Sequence, residues 1–165
     1  MKTLRFNFIY LILIFLFLLF GFNSNQVYAK AMKKNPRYVY SLPYFKHKTL
    51  KLVEQLTQGP KRWPMALKSL KMAAHVYAKN HIKYSIIVVA YGPGLKAFVM
   101  TYDAKYAKLL KKLNKEGVQM VVCHHAMKEA KVTTAMLYPF VKVAYPEIIE
   151  YIVKKEDQGY AFIKP

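Results

Sequence analysis

Cys123 is the single cysteine of the 165-residue chain, and His124 and His125 follow it at once in the stretch "MVVCHHAMKE", Met120 to Glu129. A thiol beside two imidazoles admits three readings. As a packing residue it is inert, since free Cys is among the most buried residue types. As a metal ligand it is poorly placed. Three consecutive side chains rarely converge on one tetrahedral centre, and structural zinc motifs space their ligands by two or more residues. His47, His75 and His81 do not complete such a set, and Met120 and Met127, although soft enough for copper(I), more often pack in cores. No metal and no cofactor is expected. As a reactive thiol, Cys123 would sit where a strand hands over to a helix. The partial positive charge of a helix N-terminus lowers a thiol pKa, and His124, His125 and Lys128 could add to it. The residues by themselves leave the packing and reactive readings open.

A second candidate is the turn Gly92-Pro93-Gly94. It lacks the glycine pattern of dinucleotide binders and the Lys-Ser/Thr of a P-loop. Its spacing suits a tight turn with close backbone approach, able to expose amides to an anion near Cys123. No Ser-His-Asp signature and no HExxH is present, and the acids nearest these turns, Asp103 and Glu129, are not paired with another carboxylate.

Both candidates depend on the elements that carry them. "TLKLVEQLT" alternates and ends at Gln58-Gly59-Pro60, a strand with a turn behind it. Pro64 opens a helix with Leu67, Leu70, Ala74 and Tyr77 on one face and Asn80 at its end. Ile86–Ala90 is an unbroken apolar run, the mark of a strand buried on both faces of a parallel sheet. "YAKLLKKLNKEG" is a helix with a Tyr106, Leu109, Leu110, Leu113 core stripe, lysines outward, and Gly117 as its stop. "VQMVVC" is a strand, "HHAMKEAK" a short helix and "FVKVA" a strand. "PEIIEYIVKKEDQG" is a helix with Pro146 at its first position and Ile148, Ile149, Ile152 and Val153 inward, and "YAFI" is a last strand. Alternation of this kind predicts a parallel sheet with right-handed crossovers and helices on both faces. Ligands of such sheets bind beyond the carboxyl ends of the strands. The Thr57–Pro60 turn, the Gly92–Gly94 turn and Cys123 all lie there and should gather on one rim.

The N-terminus reads as an export signal. A basic start, Met1 to Arg5, precedes the apolar run Phe8–Phe22, which is short of the roughly 20 residues of a membrane span. Val27-Tyr28-Ala29 then gives a small-x-small cleavage pattern. Residues 1–29 are expected to be removed, leaving a periplasmic or secreted protein. Residues 30–48 form a Lys- and Tyr-rich arm with an extended piece at Tyr38–Leu42, and residues 49–165 form one domain. Lys and Arg number 27 against 8 Asp and Glu, a formal net charge of +19, and Lys2 and Arg5 account for two of the positive charges. Such an excess covers solvent faces or attracts an anionic membrane surface or another polyanion. Export, and the lack of any nucleic-acid-binding motif, argue against nucleic acid.

"VVAYGPGLKAFV", "EGVQMVVCHHAMKEAKV" and the closing "GYAFIKP" resemble members of the DsrE/DsrF-like family, which includes YchN-like proteins, over about Thr49 to Pro165. The resemblance implies a compact three-layer α/β domain on a mostly parallel five-stranded sheet. It implies a homo-trimer or hexamer, and a sulfur donor or acceptor protein as partner. In sulfur-relay members a cysteine matching Cys123 carries a persulfide. The resemblance therefore implies an exported sulfur-handling protein with Cys123 as its thiol, in a setting of Gly92, Pro93, Gly94, His124 and His125. The alternatives are a binding module for an anionic ligand or partner, and a Cys/His metal or redox binder. His124-His125 depart from the small neutral residues that usually follow the cysteine.

Overall fold

Runs of Val, Ile and Leu need apolar cover on both sides, and here they find it in one sheet. The structure, a computed structural model, describes residue 37 and residues 41–102 and 104–164. The expected signal peptide, most of the 30–48 arm and Asp103 lie outside the described residues. Strands β1 (Leu50–Leu56), β2 (Tyr84–Ala90), β3 (Gln119–Cys123), β4 (Val141–Ala144) and β5 (Ala161–Ile163) are arranged in the order β4-β3-β2-β1-β5. Every pairing is parallel. Ile86–Ala90 occupies the centre and is at most 1 % exposed, as an all-apolar run demands.

Helices α1 (Trp63–Lys79) and α2 (Ala107–Lys115) cover one face, while α3 (His124–Glu129) and α4 (Ile148–Asp157) cover the other. The α/β three-layer architecture expected from the alternation is the one observed. The two sides are unequal: the α1–α2 core holds twenty-three buried residues and the α3–α4 core eight. Leu67, Leu70 and Ala74 of α1 and Leu110 and Leu113 of α2 are buried, as their spacing requires. Trp63 is fully buried and its indole donates to Gln58 O at 2.7 Å, which fixes the entry to α1 one residue before Pro64. At the far end the Asn80 amide donates to Val76 O at 2.7 Å. Gly117 and Gly159 stop α2 and α4 with φ of 82° and 79°.

Three local expectations need correction. Pro146 does not open α4. It lies in the turn before it, behind a cis Tyr145–Pro146 bond, and Glu147 is still extended, so helical geometry starts at Ile148. Ile149 and Val153 do not face inward but are 63 % and 50 % exposed. The inward stripe of α4 is Ile148 with Tyr151 and Ile152, and the other two fall on its flank. Finally, Leu42 is not extended; it starts a short 3-10 turn that runs to Phe45.

Two features of β1 generate tests. A Cβ on Gly94 would lie 1.9 Å from Leu56 O, a backbone atom that cannot step aside, whereas nothing lies within 4 Å of one on Gly59. Gly94→Ala is therefore expected to cost about 3 kcal/mol or more, and Gly59→Ala less than about 0.5 kcal/mol, as read from urea denaturation midpoints.

Glu54 is 6 % exposed, and its Oε1 has no hydrogen-bond partner among the described residues. Burial pushes its carboxyl up to about 7 from an ordinary 4.5. A folded-state pKa raised in this way leaves stability intact below the unfolded value and removes it as pH rises through the folded one. The loss reaches about 3 kcal/mol above neutrality. Glu54→Gln should thus stabilise the protein at pH 8 and bring no gain at pH 4, and a pH-independent difference would refute the assignment.

Candidate functional site

The rim at the carboxyl ends of the strands is built by register. Leu56 pairs with Ala90, Ala90 with Val122, and Cys123 with Ala144. The three features expected there do gather. Tyr91 N–H donates to Leu56 O at 3.4 Å, and the Gly92–Phe98 3-10 segment folds back so that Gly94 rests on the Leu56–Thr57 backbone. The same segment packs against α3, which starts directly after Cys123.

Cys123 is the last residue of β3 and is 6 % exposed. It belongs to the smaller core, with Val89, Val121, Ala126, Ala144 and Ile148 around it and Tyr91 packed at the edge. The sulfur is thus at the rim but covered. Tyr91 is the neighbour that the sequence reading missed. Val89 pairs with Val121, so two residues on, Tyr91 and Cys123 share a level and a face. Burial pushes the Tyr91 phenol above its ordinary value, and charge on the neighbouring Cys123 sulfur pushes it the same way. The phenol keeps its proton near neutrality and is a potential hydrogen-bond donor to a sulfur anion.

The other predicted residues separate into near and far. Gly94 spends its N–H on Tyr91 O at 3.2 Å, and Pro93 has none, so neither offers an amide to an anion. The His124 ring is half-buried and tilts against Tyr145, with centroids 4.8 Å apart, just past the Cys123–Ala144 pair. His125 points to solvent, with Nε2 3.3 Å from Glu129 Oε1, and Lys128 is exposed as well. Among the described residues no three His, Cys, Asp or Glu side chains cluster in a way that could hold a metal ion. The arrangement is a single covered thiol flanked by Tyr91, with the His124–Tyr145 ring pair next along the chain at the ends of the same two strands. Thiol–disulfide or persulfide exchange at the sulfur is the covalent chemistry it can support.

The DsrE/DsrF-like family profile matches residues 51–165. The chain belongs to the DsrE/DsrF-like family. That family is associated with sulfur relay in general. The DsrE-like fold recurs in solved structures that share little sequence with it. A protein of unknown function from Methanobacterium thermoautotrophicum, MTH1491, matches at a TM-score of 0.59 and 19 % identity, over 71 % of this chain and 98 % of its own. YchN from E. coli matches at 0.56 and 12 %, over 70 % and 99 %. BT1422, a conserved protein of unknown function from Bacteroides thetaiotaomicron, matches at 0.55 and 14 %, over 70 % and 94 %. At these identities the neighbours speak for the DsrE-like fold alone. No curated protein matches the sequence.

Proposed function

We propose that this DsrE-like chain is an exported sulfur-handling protein in which Cys123 accepts sulfane sulfur as a persulfide and passes it on. The observation that carries this reading is the position of Cys123 on the carboxyl rim of β3, level with Tyr91. The step balances without an outside oxidant. The Cys123 thiolate attacks the terminal sulfur of a donor persulfide. A new S–S bond forms to Cys123 while the donor's S–S bond breaks, and the donor leaves as a thiolate. Transfer to an acceptor thiolate repeats the exchange in the other direction. Tyr91 would donate its retained proton as a hydrogen bond to the terminal sulfur anion.

The burial of Cys123 favours one competing reading, a non-enzymatic binding module for an anionic ligand or partner in which the thiol only packs. Intact mass separates the two. Protein recovered from the periplasm, with Lys30 as its first residue, is treated with polysulfide or with a persulfidated sulfurtransferase. Wild type should gain the mass of one sulfur atom on Cys123, and Cys123→Ser should fold and gain nothing. A wild-type protein that stays unmodified until it is unfolded would leave the binding-module reading.

A homo-oligomer, a trimer or hexamer, goes with this proposal. Tyr145, Ile149 and Val153 expose apolar surface on the thin α3–α4 side, at 77 %, 63 % and 50 %. Symmetric contacts between copies are the usual way such surface is covered. Light scattering at micromolar concentration should return a multiple of the monomer mass, and Ile149→Glu with Val153→Glu should reduce it to the monomer.

A further inference from the structure

The charge of this protein is sorted by face. The seventeen residues of α1 and the nine of α2 contain no acid at all. Their exposed residues include Lys68 and Lys79 on α1 and Lys108, Lys111, Lys112 and Lys115 on α2. Glu116, at the end of α2, meets Lys112 at 3.9 Å and is the acid that tempers this row. The other helical layer is mixed: α3 and α4 carry Lys128, Lys154 and Lys155 together with Glu129, Glu150, Glu156 and Asp157. The solvent pole of α2 is therefore a block of ammonium groups. The pairs Lys108–Lys111, Lys108–Lys112, Lys111–Lys115 and Lys112–Lys115 stand three or four residues apart, where like charges weaken a helix. An array that opposes its own helix is stabilised when an anionic surface neutralises it.

The form of the array limits the partner. Both helices lie flat on the sheet with their apolar sides buried, so the lysines form a broad, shallow face. Duplex DNA is read by an element inserted into a groove, and planar recognition of phosphate favours arginine. Arg37 and Arg62 are the arginines among the described residues, and neither lies on these two helices. Lysine is a point charge on a long apolar stem that suits a headgroup layer. Between the lysines of α1, Met72 and Val76 stand 69 % and 38 % exposed and could enter the headgroup boundary. Among the described residues no helix is long and apolar enough to cross a membrane, so contact through this face would be peripheral.

We propose that the α1–α2 face docks the protein on an anionic lipid bilayer. Docking of this kind leaves the α3–α4 side, which carries Cys123, turned away from the lipid.

Co-flotation of the protein recovered from the periplasm with vesicles tests this. One set contains phosphatidylglycerol in phosphatidylcholine and the other phosphatidylcholine alone, each at low and high salt. The readout is the ratio of affinities between the two lipids. Wild type should prefer the anionic vesicles, and salt should erase the preference. Replacing Lys108, Lys111, Lys112 and Lys115 by Gln, which keeps helix propensity, should cut the preference by about tenfold or more. The same change at Lys128, Lys131, Lys154 and Lys155 should leave most of it. If the α2 variant loses its circular dichroism, Lys68→Gln with Lys79→Gln replaces it, with a smaller loss expected. Equal losses from the two faces, no lipid preference, or binding to duplex DNA in place of vesicles would overturn the proposal.

Discussion

The rim of this sheet depends on one contact between backbones. Gly94 lies against the Leu56 carbonyl so closely that a side-chain carbon has no room there. Leu56 O also accepts from Tyr91 N–H. Together these contacts pin the exit of β2 to the exit of β1. From β2 the parallel register carries position outward: Ala90 places Val122, and Cys123 places Ala144. Tyr91 can stand beside Cys123 because the chain leaves β2 extended and turns only at Gly92, whose φ is +52°. A residue able to fill the space at Gly94 would push the 3-10 segment away from β1, and the packing of that segment on α3 would go with it.

The sheet has a thick side and a thin one, and chemistry and charge divide along the same line. The α1–α2 side holds Trp63, Phe98 and most of the fully buried side chains, so it can bear a repulsive lysine surface without coming apart. The α3–α4 side rests on a six-residue and a ten-residue helix. Its core is edged by tyrosines, with Tyr160 held to Ser85 by a 2.7 Å hydroxyl contact and the Tyr151 phenol pushed up by burial. Cys123 lies on this lightly covered side, in the smaller core, and not beneath α1 in the main one.

Local pattern carried the architecture a long way. The unbroken run at Ile86–Ala90, the leucine stripe of α2 and the glycine stops at Gly117 and Gly159 are short-range signals, and each marks its element within a residue or two. The site was legible in part. That Cys123 lies on the carboxyl rim follows from the order of strands and helices. That it is covered does not, because its cover comes from Ala144 and Ile148, far along the chain. Tyr91 was readable by carrying the alternation of faces one residue past the end of β2 at Ala90, but no local pattern marks it as the neighbour of Cys123. Glu54 sits in an alternating strand where a polar residue suggests solvent. It is buried because β1 is an interior strand, flanked by β2 and β5. Ile149 and Val153 fit a helical stripe as well as Ile148 and Ile152 do, and the local pattern alone does not decide which pair faces in.

The brevity of β5 has a consequence for how copies of this protein can meet. The strand pairs three residues with β1, and on the opposite border β4 pairs four with β3. Borders this short leave few main-chain donors and acceptors in a row for another strand to read. Lys51 further ties the turn before β5 by donating to Gln158 O at 2.7 Å, and Lys142 projects from β4 into solvent. Addition of a foreign strand is therefore discouraged at both ends of the sheet. Contact between molecules is left to side chains on the helical faces, where shape and charge can discriminate between partners, a distinction that main-chain pairing cannot make.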